Sequence, residues 1–246
     1  MKHLKPLPNR ITMPFIPLDI SSNQVFVVGA KMQAGRTLYA LHLIEENSLK
    51  RNNKKCLAYF VSNNKETVKQ SGFSAMLTNS RNVKVNFIKY HNGDQLITDI
   101  VYDALDFTPS YIVIDGFEKF FNRSLLNTET ELLNEVDMLL SHLQIISDDK
   151  KIPIILTTNI LLSGESHVFH SRPLLCDFGT SVLEVTAHHV CSLRSPFYDG
   201  DTEKTQGEDT WGTMQIYQLL KDTSVKIPTD FTIDKEEGRF YSKTDN

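Results

Sequence analysis

The residues best placed to do chemistry lie in Val25-Phe26-Val27-Val28-Gly29-Ala30-Lys31-Met32-Gln33-Ala34-Gly35-Arg36-Thr37. Four apolar residues read as a buried strand, a loop bracketed by Gly29 and Gly35 follows, and an apolar helical pattern opens at Leu38. This is the layout of a phosphate-binding P-loop, G-x-x-x-x-G-K-[ST]. Glycines in such a loop let backbone N–H groups turn toward phosphate oxygens, and the start of the next helix adds partial positive charge. Gly29, Gly35, Arg36 and Thr37 are therefore the expected cofactor-binding residues, with arginine where the pattern has lysine. The cofactor implied is ATP or ADP with Mg2+.

A second run, Tyr111-Ile112-Val113-Ile114-Asp115, is apolar up to its final carboxylate. It fits a Walker B strand, in which the aspartate emerges at the carboxyl edge of the sheet. There Asp115 and the Thr37 hydroxyl are expected to serve the same magnesium ion through the nucleotide. A turn or capping aspartate is the plainer reading of Asp115 taken alone.

The elements that must position these residues alternate between strand and helix. Strands are expected at Val25–Gly29, Cys56–Ser62, Val83–Lys89, Tyr111–Asp115 and Ile152–Thr157. Helices are expected at Thr37–Asn47, Leu96–Leu105 and from a capping box at Thr128-Glu129-Thr130-Glu131 through Ile146. A polar, basic connection is read at Lys50–Lys55. This order implies βαβ units, a mostly parallel sheet and helices on both of its faces. Beyond Ser181 short strands are expected at His189–Leu193, Met214–Leu220 and Phe231–Ile233. The chain divides into an extended lead-in (1–23), one α/β domain (24–241) and a tail (242–246).

Composition narrows the class. With 246 residues there is length for one large α/β domain, and a net charge of −4 argues against a broad nonspecific nucleic-acid surface. No apolar run reaches the ~18–20 residues of a membrane helix, and the N-terminal stretch lacks a secretory h-region. Cys56, Cys176 and Cys191 lack metal-ligand spacing and read as reduced core cysteines, which points to a cytoplasmic protein with no membrane association.

The order of these motifs resembles the RecA-fold motor domain of DnaB-type replicative helicases. Pro14–Asp19 resembles that family's entry segment, and Cys56–Asn64 the strand that ends there in Ser-Leu-Glu-Met. Ile152–Asn159 resembles its Val-Pro-Val-Ile-Ala-Leu-Ser-Gln strand. Arg172-Pro173-Leu174, Thr180–Leu193, Phe231–Asp234 and Arg239-Phe240 resemble its later segments. The resemblance covers about residues 11–241 and implies a three-layer RecA-like P-loop domain with short C-terminal strands. It also implies replication or recombination work in a bacterial or phage-infected cell.

The departures from that family bear on activity. Arg36 replaces the lysine that reaches the β- and γ-phosphates, and a guanidinium is not equivalent to an ammonium. The family's catalytic glutamate falls on Asn63, which cannot take a proton at neutral pH, and the sensor glutamine falls on Asn159. The arginine finger falls near Leu220–Thr223, where only Lys221 is basic. A finger is worth ~10³–10⁵ in rate, so no catalytic residue is assigned with the base and the finger both missing.

Three readings stay open. The first is a degenerate accessory or assembly subunit that holds nucleotide with weak or no hydrolysis and binds a protein of the replication or recombination machinery, or itself. The second is an active ATP-dependent DNA helicase in which Glu118 replaces the missing glutamate. The third is a RecA-like recombination mediator. Arg123, His167, His170 and Arg172 are candidate contacts for single-stranded DNA, against the plainer reading of solvated loops. His188 and His189 fall on opposite faces of a strand, which speaks against a metal pair. Phe117, Phe120 and Phe121 are read either as core or as a surface for a partner.

Overall fold

The computed structural model describes residues 11–12, 19–20, 22–30, 35–50, 53–61, 65–70, 80–88, 93–120, 128–159, 189–194, 211–217, 229–234 and 239–242. The strands are β1 (Ile11–Thr12), β2 (Asp19–Ile20), β3 (Val25–Ala30), β4 (Cys56–Val61), β5 (Val83–Ile88), β6 (Tyr111–Asp115), β7 (Ile154–Asn159), β8 (His189–Arg194), β9 (Trp211–Tyr217), β10 (Thr229–Asp234) and β11 (Arg239–Ser242). The helices are α1 (Arg36–Ile44), α2 (Lys65–Gln70), α3 (Gly93–Phe107) and α4 (Glu129–Lys150).

The fold is α/β, built on a nine-stranded sheet in the order β11-β10-β9-β8-β3-β7-β6-β4-β5. β3 to β8 pair in parallel, and β9, β10 and β11 extend the sheet by antiparallel pairing. Parallel neighbours need crossovers, and helices supply four: α1 from β3 to β4, α2 from β4 to β5, α3 from β5 to β6 and α4 from β6 to β7. The chain leaves β3 toward β4, fills that side, and later places β8 on the other flank of β3. Such a reversal opens a crevice at the carboxyl ends of the strands, where ligands of doubly wound sheets bind.

The near-continuous apolar composition of β3 and β6 follows from burial on both faces. Phe26 and Val28 of β3, with Tyr111 and Val113 of β6, pack with Tyr39, Leu41, Leu43 and Ile44 of α1. Val25, Val27, Ile112 and Ile114 point the other way, onto Leu96 and Ile100 of α3 and Val136, Leu139, Leu140 and Leu143 of α4. Each such side chain contributes ~1.5–3 kcal/mol on full burial, so helix layers on both faces hold the sheet.

The lead-in is more than an extended strand. Ile11 pairs with Ile20 across the β1–β2 ladder, and both are fully buried on the α1 side of the sheet. The expected polar connection after α1 begins later than Lys50, because the helix widens into a π-type turn over Glu45–Lys50. One local and one long-range hydrogen bond accompany the turn. Asn47 Nδ2 donates to the Leu43 carbonyl at 3.0 Å, and Ser48 Oγ meets the buried Tyr111 hydroxyl at 2.7 Å. The expected helix over Leu96–Leu105 starts at Gly93, and β9 begins at Trp211, where its register with Thr232 of β10 starts. The box ahead of α4 forms as the sequence indicates: Thr128 Oγ1 accepts from Glu131 N–H, and Glu131 accepts from Thr128 N–H. Among the described residues, no helix is long and apolar enough to cross a membrane.

One carboxylate ties α3 to the β4–β5 edge. Asp103 accepts from Tyr59 Oη (2.8 Å), Lys84 Nζ (2.8 Å) and Asn86 Nδ2 (2.6 Å). Burial pushes its pKa up, but the hydrogen bonds from Lys84 and Tyr59, the Lys84 charge and the Asn86 bond outweigh burial and bring it below the usual aspartate value.

Two predictions follow from these contacts. Because the folded-state pKa of Asp103 is depressed, its contribution to stability is complete above the unfolded value of about 3.9 and is lost as pH falls through the folded value. Urea denaturation should therefore show the gap between the unaltered protein and Asp103→Ala shrinking as pH drops below 4; a gap constant from pH 7 to the acid limit contradicts this. Thr128→Ala removes the side-chain half of the α4 cap and should cost about 1 kcal/mol in the same assay at pH 7, against no change if the box adds nothing.

Candidate functional site

Four pieces of chain meet at the carboxyl ends of β3, β6 and β7. Gly35 closes the loop after β3 with φ 83°, a left-handed conformation that suits glycine, and its carbonyl accepts from Tyr39 N–H in the first turn of α1. Arg36 and Thr37 therefore leave the first turn of α1 facing the strand ends. Gly116, φ 84°, turns the chain sharply after β6, and its N–H reaches both the carbonyl and the hydroxyl of Thr157 at 3.2 Å. That turn brings Glu118 back over the end of β7.

Asp115 is fully buried, and its carboxylate is surrounded by donors. Thr37 Oγ1 donates to Oδ2 at 2.8 Å, Thr157 Oγ1 donates to Oδ1, and Arg36 Nε lies 3.5 Å from Oδ1. β7 runs between β3 and β6, with Thr157 in register with Asp115 and Asn159 in register with Ala30. Thr37 and Arg36 thus reach Asp115 across the end of β7.

Arg36 is held as tightly. Its Nη1 donates to Glu118 Oε1 at 2.8 Å and to Asn159 Oδ1 at 2.7 Å. The second oxygen of Glu118 accepts from Asn159 N–H at 3.1 Å. Both side chains of the Arg36–Glu118 pair are close to nine-tenths buried, at 12% and 11% exposure. Within this cluster one guanidinium faces two carboxylates, a formal charge of +1 − 2 = −1. The chemistry on offer is anion binding by a guanidinium and helix-start amides, next to hydroxyl and carboxylate oxygens of the kind that hard cations take. Among the described residues, no group of three or more His, Cys, Asp or Glu side chains is placed to hold a metal ion alone.

Of the residues singled out in the sequence, the structure brings Arg36, Thr37, Asp115 and Asn159 into one hydrogen-bonded cluster. Gly35 adjoins it as the cap of α1. Gly29 does not: it is buried inside β3, in register with Thr158 and Ser192. Five residues separate it from Gly35, one more than the motif's four, so the motif's first position falls on Ala30, the last residue of β3. The partnership of Glu118 with Arg36 went unforeseen, as did the Thr157 contact to Asp115. The sequence offers Glu118 as the carboxylate that would replace the missing glutamate of an active motor, and the structure places it against Arg36. Phe117 and Phe120 are buried among the α4-side core residues, so neither offers a surface to a partner. Asn63, Phe121, Arg123, His167, His170, Arg172, His188 and Lys221 lie outside the described residues, as do residues 31–34.

A scan against family models finds no match to this chain, and a search of curated proteins finds none either.

Proposed function

We propose that the chain is a degenerate RecA-like P-loop protein. In this reading it binds a nucleoside di- or triphosphate with Mg2+ at Gly35–Thr37, turns it over slowly or not at all, and serves the replication or recombination machinery as an accessory or assembly subunit. The observation that carries the reading is the gathering of Arg36, Thr37, Asp115 and Asn159 at one carboxyl edge, although 78 to 123 positions separate their hydrogen-bonded pairs. Loop–helix junctions at strand ends are where phosphates are held in doubly wound sheets.

Gly35 and the amides that open α1 would meet phosphate oxygens, and Arg36 would supply the charge. The oxygens of Thr37 and Asp115 suit Mg2+, a hard cation, and their side by side placement fits it. When bound, that ion neutralises phosphate charge; the chain's own part is to hold and orient the nucleotide. Low turnover is supported by Asn63 standing, on the resemblance to DnaB-type motors, at the position of their base, and by the state of Glu118. Both Glu118 oxygens already accept hydrogen bonds, one from Arg36 and one from Asn159 N–H, which disfavours its use as a base and with it the reading as an active motor.

Titration calorimetry should show Mg2+-dependent binding of ATP and ADP, weakened by Asp115→Asn, with circular dichroism confirming that the variant is folded. Steady-state hydrolysis should stay near background with or without single-stranded DNA, and Arg36→Lys combined with Asn63→Glu should raise it. Absence of binding at millimolar nucleotide removes the phosphate site. Strong DNA-stimulated hydrolysis by the unaltered protein replaces the accessory reading with the motor reading.

A further inference from the structure

Arg36 is expected to grip an anion, yet it already grips one. A guanidinium recognises phosphate with a fork of parallel N–H groups. Here Nη1 is divided between Glu118 Oε1 and Asn159 Oδ1, and Nε faces Asp115. Glu118 is itself anchored, because its other oxygen accepts from Asn159 N–H on β7. The turn at Gly116 and the buried rings of Phe117 and Phe120 fix the segment that carries it. The pair therefore joins two elements with their own packing.

We propose that Glu118 is an internal competitor for the phosphate site: it holds the Arg36 guanidinium against Asn159, and a nucleotide polyphosphate binds by exchanging with the Glu118 carboxylate. This inference rests on the phosphate reading of the site and adds to it how that site is regulated. The exchange swaps one anion for another on the same donors, so it gains little, and the −1 formal charge of the cluster opposes a second anion until Glu118 moves away or a cation arrives. An arginine suits this arrangement better than a lysine. Its Nη1 spans Glu118 and Asn159 while its Nε remains by Asp115, which a single ammonium nitrogen cannot match. The device makes occupancy responsive to anything that draws Glu118 off Arg36.

The test is calorimetric binding of inorganic pyrophosphate and of ATP, each with Mg2+, to the full chain and to Glu118→Gln. Glutamine keeps an oxygen for Asn159 N–H but removes the charge that holds Arg36. Binding of both probes should tighten roughly tenfold to a hundredfold, the range for a hydrogen bond to a charged group. Glu118→Asp, one methylene shorter and still charged, should tighten binding less, and it serves as the readout if the glutamine variant does not fold. Equal affinity of the unaltered protein and both variants overturns the competitor role while leaving the phosphate site standing. Failure of all three proteins to bind either probe at millimolar concentration overturns the phosphate reading, and this inference with it.

Discussion

A carboxylate with no exposed surface has to be compensated by its neighbours, and the arrangement around Asp115 follows from that need. An unpaired buried charge costs several kcal/mol even after relaxation. Thr157 answers from the adjacent strand, Thr37 from the first turn of α1, and Arg36 from beside Thr37. The start of α1, which the sheet order alone would leave free, is thereby pinned to the same group as the ends of β6 and β7. The start of α1 cannot shift without uncovering Asp115, and the end of β7 cannot slide without losing Thr157.

Arg36 extends the same compensation one step outward, to Glu118 and Asn159. Removing one partner from a buried ion pair costs ~3–5 kcal/mol, whereas replacing it with another anion costs far less. The site is therefore stable in the absence of a ligand. On the proposed reading, this stability is what the chain has in place of catalysis. A cluster whose charges satisfy each other holds its shape as a scaffold, and it exchanges one of its anions when a phosphate is offered.

Much of the fold was legible because periodicity and caps are local. Tyr111–Asp115 is a strand over its expected bounds, and the Thr128 box starts α4 as its residue types require. The π-type turn at Glu45–Lys50 was not legible, since it depends on Ser48 meeting Tyr111 from a strand far along the chain. At the site, residue types were readable and their partnerships were not. Thr37 and Asp115 were paired in advance from motif logic. Glu118, the candidate replacement for the missing glutamate on the active-motor reading, is the partner of Arg36, a long-range contact made past the Gly116 turn. Gly29 was misplaced by one residue because two glycines bracketing a loop invite pairing, whereas the motif is counted back from Gly35 to Ala30.

A crystal structure of the unaltered protein grown with ADP and Mg2+ tests the central claim most directly. The account predicts the β-phosphate on the backbone amides of Gly35, Arg36 and Thr37, with the Arg36 guanidinium turned from Glu118 onto phosphate oxygen. Nucleotide density at another place on the molecule, or at this place with the Arg36–Glu118 pair still joined, would contradict it.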